Sequence, residues 1–253
     1  MKTNILKNSK LYNRYFDVKK KPNPYQGVVD LDSIRNLSVL LKKNSVLSIE
    51  QFYERFNLDK NVVDKEQIKL KSLFDKYGSD KSSTHNYHLI YQPIINKLGE
   101  QSINLLEVGL GTNNIRFQSN MGNSGKPLAS AFAFRDYRKN IQYIGGDIDK
   151  GILENFERIS TYYVDQMEIS TLDSFFSQEF DLAIDDGMHI LRANLNFFIC
   201  ALRKIKKNSW IVIEDINPSD SDFWCSVSQN LNINGISSVV QTKSAMVFCF
   251  NKL

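Results

Sequence analysis

Carboxylates gather at the ends of two apolar segments of this sequence. Asp185 and Asp186 end the segment FDLAIDD, and Glu214 and Asp215 end the segment WIVIED. Like charges repel, so these side chains are costly to bring together unless a cation binds among them. Oxygen ligands without a cysteine favour a hard cation such as Mg²⁺, Mn²⁺ or Ca²⁺. The pattern predicts a divalent metal site, and His189, three residues after Asp186, could reach the same cleft.

A turn that contains two glycines follows an earlier apolar segment, INLLEV. Gly109 and Gly111 allow the backbone to turn tightly and to approach a ligand closely. The dinucleotide fingerprint has a third glycine and an immediate helix, whereas here residues 113–127 intervene. An NAD site is therefore disfavoured, and an ordinary strand-to-helix turn is the alternative to a ligand site.

Polar side chains also end the next two apolar segments. Asp147 ends IQYIGGD, where a carboxylate could accept hydrogen bonds from a ribose diol, and Asp149 could instead cap the next helix. Asp165 and Gln166 follow the third segment and could bind the edge of an adenine. The alternative for this pair is a capped turn.

Elements that position these residues alternate between strand and helix. The predicted strands cover residues 103–110, 141–147, 161–164, 180–185, 210–215, 237–242 and 245–250. The predicted helices cover residues 128–138, 151–159, 172–176, 190–204 and 222–231. Alternation predicts an α/β fold with a doubly wound, mostly parallel seven-stranded sheet, and the short last link predicts an antiparallel C-terminal hairpin. Such sheets bind ligands at the carboxyl ends of their strands.

The N-terminal part has a different pattern. Residues 19–27 (KKKPNPYQG) read as an extended arm, and apolar residues at three and four spacings predict two or three helices between residues 30 and 73. We therefore divide the chain into an arm and helical extension, 1–75, and a main domain, 76–253. The extension is expected to pack on the main domain or on a second subunit, and we expect a homo-oligomer.

Composition limits the class of protein. The 253 residues carry a formal charge of +4, which suits an anionic small molecule such as a nucleotide as well as it suits RNA. A dedicated nucleic-acid binder usually shows a more concentrated basic face. No apolar stretch is long enough to span a membrane, and the first residues lack a signal-peptide core, so we expect a cytoplasmic protein.

Together these motifs resemble the class I S-adenosylmethionine-dependent methyltransferases. The closer resemblance is to metal-dependent sugar O-methyltransferases of the macrolide type. It is carried by YGSDK at 77–81 with HNY at 85–87 and Tyr91, by LLEVGLGTNN at 105–114 leading to GDID at 146–149, by Asp165-Gln166 with DDGMH at 185–189, and by IED at 213–215. Met188 replaces the serine usual in that family, and the N-terminal part is much shorter.

The resemblance implies a Rossmann-like methyltransferase fold and a set of site residues. It implies Mg²⁺ or Mn²⁺ on Asp186, Glu214 and Asp215, His189 as general base with Asp186 beside it in catalysis, and a substrate side formed by His85 and Tyr87. The cofactor S-adenosylmethionine would be held by Glu107, Gly109, Gly111, Asp147, Asp165, Gln166, Asp185, Lys81 and Tyr91.

The function expected from the resemblance is methylation of a sugar hydroxyl. We expect a nucleotide-activated hexose or heptose destined for a surface polysaccharide such as capsule or lipopolysaccharide. Three alternatives stay open. They are a methyltransferase of the same fold acting on a catechol or another small molecule, one acting on RNA, and a non-catalytic scaffold or nucleic-acid-binding protein.

Overall fold

The computed structural model describes residues 35–38, 46–59, 63–231 and 233–253. The predicted arm at 19–27 and much of the predicted helical stretch between 30 and 45 lie outside the described residues. Residues 35–38 are helical. The further helices are α1 (Ile49–Arg55), α2 (Val63–Tyr77), α3 (Asp80–Ser83), α4 (His88–Leu98), α5 (Ala129–Tyr137), α6 (Ile169–Phe175), α7 (Leu191–Leu202) and α8 (Ser221–Asn230). The strands are β1 (Ile103–Val108), β2 (Ile141–Asp147), β3 (Ile159–Tyr163), β4 (Phe180–Asp185), β5 (Ile205–Ile216), β6 (Gly235–Gln241) and β7 (Met246–Lys252).

One seven-stranded sheet organises the described chain, in the order β3-β2-β1-β4-β5-β7-β6. The first five of these strands run parallel, whereas β7 pairs antiparallel with both β5 and β6. The predicted mostly parallel sheet with a C-terminal hairpin is confirmed. The strand order reverses beside β1, so the carboxyl ends of β1 and β4 form the crevice where such sheets bind ligands.

The sheet is covered on both faces, as the apolar runs in its strands require. Successive side chains of a strand point to opposite faces. Leu182 and Ile184 of β4 therefore join a core that α1, α2, α4 and α5 cover, while Ala183 joins a second core under α6, α7 and α8. Burial of these apolar surfaces is the main stabilising contribution to the fold.

Residues 46–59 pack on the sheet. Leu47 forms a parallel bridge with Val240 of β6, so it protects part of an edge strand that would otherwise present unpaired backbone groups. Helix α1 begins with a capping box at Ser48 and buries Phe52 in the first core. The proposed boundary after residue 75 falls inside α2, and the division into two parts stays a prediction.

One predicted helix, 151–159, is wrong. Only a single 3₁₀ turn forms there, at Lys150–Ile152, and Phe156 bridges back to Ile159 at the start of β3. Arg158 has a φ of 61°, a left-handed conformation that a helix does not contain. Strand β5 is also longer than predicted. None of the described helices is long and apolar enough to cross a membrane.

Candidate functional site

The strand register brings three of the predicted segments together. The backbone N–H of Asp186 donates to the carbonyl oxygen of Val108 at 2.8 Å, and Asp185 pairs with Ile213 of β5. The glycine turn after β1, the carboxylates after β4 and the Glu214-Asp215 pair of β5 therefore lie side by side. This juxtaposition was predicted from the parallel order of the strands.

A local irregularity in β5 gives Asp215 its direction. The β5–β7 pairing shifts register between Ile213 and Ile216, and Asp215 has a φ of 48°. In a regular strand, Glu214 and Asp215 would point to opposite faces. Because of the irregularity, both carboxylates reach the same cluster. A bulge next to a functional site commonly re-aims a side chain in this way.

His189 lies between two carboxylates. Its Nε2 atom is 3.9 Å from Asp186 Oδ1 and 3.9 Å from Asp215 Oδ2. The three residues each offer one ligand atom, and these atoms lie within 4.8 Å of one another. His189 Nδ1 is buried and has no hydrogen-bond partner among the described residues. These three atoms are close enough together to hold a metal ion.

Lys81 supplies a positive charge that sequence reasoning did not foresee. Its Nζ atom lies 2.7 Å from Asp186 Oδ2, 2.5 Å from Glu214 Oε2 and 3.1 Å from Glu107 Oε1. Burial acts to lower the pKa of Lys81, but the surrounding carboxylates outweigh it and hold that pKa well above its ordinary value. The Lys81 ammonium therefore offsets part of the repulsion between the carboxylates of the cluster.

Glu214 is turned away from the open side of the cluster. It is 1% exposed, with one carboxylate oxygen on Lys81 and the other accepting a hydrogen bond from the Tyr91 hydroxyl. Burial, together with the nearby Asp186 charge, raises the pKa of Glu214 well above its ordinary value, while Lys81 opposes that rise. Glu214 was predicted to be a metal ligand, yet the three convergent donor atoms do not include one of its own.

The segment between α3 and α4 forms the second wall. The Tyr87 hydroxyl donates to Asp215 Oδ1 at 2.6 Å, and the His85 ring stacks on the Tyr87 ring with centroids 4.9 Å apart. His85 lies 3.5 Å from Asp80 and 3.6 Å from Asp215. Its hydrogen bond to Asp80 is the main reason that the pKa of His85 is raised. Both predicted substrate-side residues thus border the carboxylate cluster.

Glu107 is enclosed by the protein. Its carboxylate accepts hydrogen bonds from Tyr143 at 2.5 Å and Ser130 at 2.9 Å and is fully buried beside Lys81. Sequence analysis missed Tyr143 and Ser130, since neither carries a motif and only packing brings them here. Direct contacts of Glu107, Lys81 and Tyr91 with a cofactor stay predictions, because all three are buried within this network.

The glycine turn is packed too closely for any other residue. Gly109 has a φ of 97°, and a Cβ atom there would lie 1.9 Å from the carbonyl oxygen of Asp186. Asp147 shapes the same turn, accepting from Leu110 N at 2.7 Å and from Asp149 N at 2.8 Å. Gly111 has a φ of 79° and lies against Met121. Asp149 caps the following 3₁₀ turn, the alternative considered for that residue.

Gln166 and Asp185 hold the turn that carries Asp186 and His189. Gln166 donates to Asp185 at 2.6 Å and accepts from the backbone N–H of Met188 at 2.8 Å. Asn194 of α7, another residue that sequence analysis missed, donates to Asp185 at 2.9 Å. Asp165 caps its own turn by accepting from the Met167 N–H at 2.8 Å. The structure leaves the predicted cofactor roles of Asp165, Gln166 and Asp185 as predictions.

Comparison with solved structures finds methyltransferases. MycE, a methyltransferase from the mycinamycin biosynthetic pathway solved with Mg and SAH, aligns with a TM-score of 0.59 at 20% identity, over 73% of this chain and 55% of that one. Its complex with Mg, SAH and mycinamycin VI aligns with the same TM-score and identity, over 73% and 54%. Human methyltransferase-like protein 13 in complex with SAH aligns with a TM-score of 0.44 at 14% identity, over 63% and 75%.

The likeness to MycE shows the fold. This chain has the Rossmann-like fold of the S-adenosylmethionine-dependent methyltransferases, a class that the sequence resemblance had indicated. The chain spans about half the length of the MycE chains that it matches. No family model matches the sequence, and the search of curated proteins also found no match.

Proposed function

We propose that this protein is an S-adenosylmethionine-dependent O-methyltransferase that uses a divalent metal to methylate a sugar hydroxyl. One observation carries the proposal. A carboxylate oxygen from Asp186, another from Asp215 and a ring nitrogen of His189 converge within 4.8 Å, beside the glycine turn of a methyltransferase fold. A fold alone does not define a reaction, so the proposal depends on this group of side chains.

The cofactor site fits the residues around the glycine turn. The positive φ values of Gly109 and Gly111 allow the chain to turn tightly at the carboxyl end of β1, where such sheets bind ligands. Ile148 and Met167, which follow β2 and Gln166, are 37% and 38% exposed and offer apolar surface for a base. S-adenosylmethionine, when bound there, supplies a methyl group that is already activated by a sulfonium charge.

A metal ion also fits, at the open side of the cluster. Two carboxylate oxygens suit a hard divalent cation, and Mg²⁺ keeps several waters when the protein supplies few ligands. Asp186 and Asp215 would hold the ion through the oxygens that face His189. When bound, the ion orients the acceptor hydroxyl and lowers its pKa.

In this mechanism the chain positions the acceptor and removes its proton. Asp186 and Asp215 fix the acceptor side of the cleft, and Tyr87 holds Asp215 in place through its 2.6 Å hydrogen bond. His189 accepts the hydroxyl proton at Nε2, a role that typically contributes a factor of about 10²–10⁴. The hydroxyl oxygen then attacks the methyl carbon in line. The O–C bond forms as the C–S bond breaks, S-adenosylhomocysteine leaves with the electron pair of that bond, and positioning supplies much of the acceleration.

For the acceptor we propose a nucleotide-activated hexose or heptose used in surface polysaccharide synthesis. His85 and Tyr87 border Asp215, where a polar acceptor would lie. The formal charge of +4 suits a diphosphate group. The protein is also proposed to act as a homo-oligomer and to work in the cytoplasm.

A methyl-transfer assay tests the proposal. The full chain is incubated with S-adenosylmethionine and a panel of nucleotide sugars, with Mg²⁺ or with EDTA, and the products are read by mass spectrometry. We expect one sugar to gain one methyl group only in the presence of metal. Cofactor binding without transfer to any nucleotide sugar would contradict the proposed acceptor. Transfer to RNA in a parallel reaction would favour the RNA alternative.

A further inference from the structure

We propose that Lys81 is the resident counter-ion of the carboxylate cluster and that Glu214 belongs to this ion pair and not to a metal site. Lys81 is then a positioning residue, since it acts through the carboxylates that it holds. The inference rests on the proposed function, because it concerns the donors that a divalent metal would meet.

Both carboxylate oxygens of Glu214 already have a buried partner. Its Oε2 atom contacts the Lys81 ammonium at 2.5 Å, and its other oxygen accepts the Tyr91 hydroxyl hydrogen bond. All three side chains are buried, with exposures of 0% for Tyr91, 1% for Glu214 and 2% for Lys81. Coordination by Glu214 would compete with two buried polar contacts and would draw the carboxylate away from the ammonium, which is costly for a buried ion pair.

Asp186 and Asp215, unlike Glu214, each have only one carboxylate oxygen in contact with Lys81 or a tyrosine hydroxyl. Asp186 gives Oδ2 to Lys81 at 2.7 Å and turns Oδ1 toward His189. Asp215 gives Oδ1 to Tyr87 and turns Oδ2 toward His189. Each carboxylate thus has one oxygen fixed by the protein and one facing the open side. The two fixed oxygens orient the two open ones, so the donors of a metal are set before it arrives.

The backbone around Lys81 holds its side chain in this position. The Ser79 hydroxyl accepts a hydrogen bond from Lys81 N at the start of α3, and the Lys81 carbonyl oxygen accepts one from Tyr87 N at 2.7 Å. The same segment therefore places both the ammonium and the hydroxyl that fix Asp186 and Asp215. The positive charge shares Asp186 with any metal, so it also weakens the binding of that metal.

Metal binding by neighbouring variants tests the inference. Mn²⁺ binding is measured by electron paramagnetic resonance and calorimetry, without methyl donor, in the wild type, in Glu214→Gln and in Asp215→Asn. These two variants make the same change at adjacent residues. We expect the Mn²⁺ dissociation constant to rise by no more than about tenfold in Glu214→Gln, because the Lys81 charge loses a partner, and by at least about thirtyfold in Asp215→Asn. Equal weakening in both variants would overturn the assignment.

Removal of the ammonium gives a second result. In Lys81→Met we expect Mn²⁺ to bind about tenfold more tightly, because a positive charge leaves the shared carboxylate. Weaker binding in this variant would contradict the proposed role. If Lys81→Met does not fold, the double variant Lys81→Met/Glu214→Gln, which removes one charge of each sign, takes its place. It is expected to bind Mn²⁺ at least as tightly as the wild type.

Thermal unfolding in EDTA separates this inference from the proposed metal dependence. We compare the wild type, Lys81→Met, Glu214→Gln and the double variant. If Lys81 and Glu214 are partners, the double variant unfolds at a higher temperature than additivity of the two single changes gives. Strict additivity would overturn the ion pair. A wild type that binds no Mn²⁺ would refute the metal dependence of the proposed function, and the unfolding comparison would still decide the role of Lys81.

Discussion

His189 and Asp215 face each other with 3.9 Å between Nε2 and Oδ2, and both residues have left-handed backbone conformations, with φ values of 53° and 48°. A non-glycine residue in this conformation costs of the order of 1–3 kcal/mol and persists where the surrounding structure imposes it. Two such residues meet here. These two backbone conformations lower the stability of the fold, and they direct an imidazole and a carboxylate toward one point, as expected of a catalytic site.

Replacing His189 tests the general base. We expect His189→Ala to lower the rate constant of methyl transfer by about 10²–10⁴-fold, because no other group replaces Nε2 as the proton acceptor. Binding of S-adenosylhomocysteine, measured by calorimetry, is expected to stay close to that of the wild type. His88→Gln is the matched control, since His88 is a buried histidine outside the carboxylate cluster. Near-wild-type transfer by His189→Ala would show that another group takes the proton.

Chelation tests the metal. We expect EDTA to abolish methyl transfer and added Mg²⁺ to restore it, because the carboxylates at the open side lose the cation that orients the acceptor. S-adenosylhomocysteine binding is expected to persist in EDTA, since the glycine turn is shaped by Asp147 and not by the metal donors. Undiminished turnover in excess chelator would contradict the metal requirement, and Asp186 Oδ1 and Asp215 Oδ2 would then have another partner.

Much of the fold follows from local sequence patterns. Strands β2 and β4 begin and end at the predicted residues because each is a short apolar run that ends in aspartate. The predicted helix at 151–159 fails for a reason that lies in tertiary structure. Thr161 N donates to the Asn155 side chain at 2.7 Å, and the Phe156–Ile159 bridge starts β3 before a helix can extend. Local periodicity does not record such contacts.

The candidate site divides in a similar way. The meeting of Asp186, His189 and Asp215 followed from their places at the ends of parallel strands. Lys81 is separated from its partners Asp186 and Glu214 by 105 and 133 positions in the sequence. No spacing rule could therefore indicate these ion pairs. Charge arithmetic showed that the carboxylates needed a cation. It did not show that a buried lysine from a helix of four residues would supply part of that charge.

Gly109→Ala tests the close packing of the turn, with Gly99→Ala as a matched control. Both glycines have positive φ values, 97° and 82°, but a Cβ at Gly99 meets no atom within 4 Å, whereas one at Gly109 lies 1.9 Å from the Asp186 carbonyl oxygen. We expect Gly99→Ala to lose about 1–3 kcal/mol of unfolding free energy, because its φ of 82° and ψ of −158° define a backbone region that essentially only glycine adopts. Gly109→Ala is expected to lose clearly more and to weaken S-adenosylhomocysteine binding at least about tenfold. If Gly109→Ala and Gly99→Ala had the same effect on unfolding free energy and on binding, the turn at Gly109 would be able to relax around the added methyl group.

The lowered pKa of His88 predicts how the unfolding free energy depends on pH. Burial is the main reason that its pKa falls from 6.5 to about 4, with Lys71 adding to the effect and Asp75 opposing it. The unfolded chain takes up a proton near pH 6.5 whereas the folded chain does so only near pH 4, so the unfolded state binds more protons between these values. The unfolding free energy therefore falls as the pH falls through this window, by up to about 3 kcal/mol from this residue.

Urea unfolding at pH 4.5, 5.5, 6.5 and 7.5 measures this dependence. His88→Gln removes the titrating group, so its unfolding free energy is expected to fall less than that of the wild type between pH 6.5 and about pH 4.5. Above pH 6.5 His88 is neutral in both states, so the difference between the two proteins is expected to be constant there. The same slope in both proteins below pH 6.5 would show that His88 has the same pKa in the folded and the unfolded state.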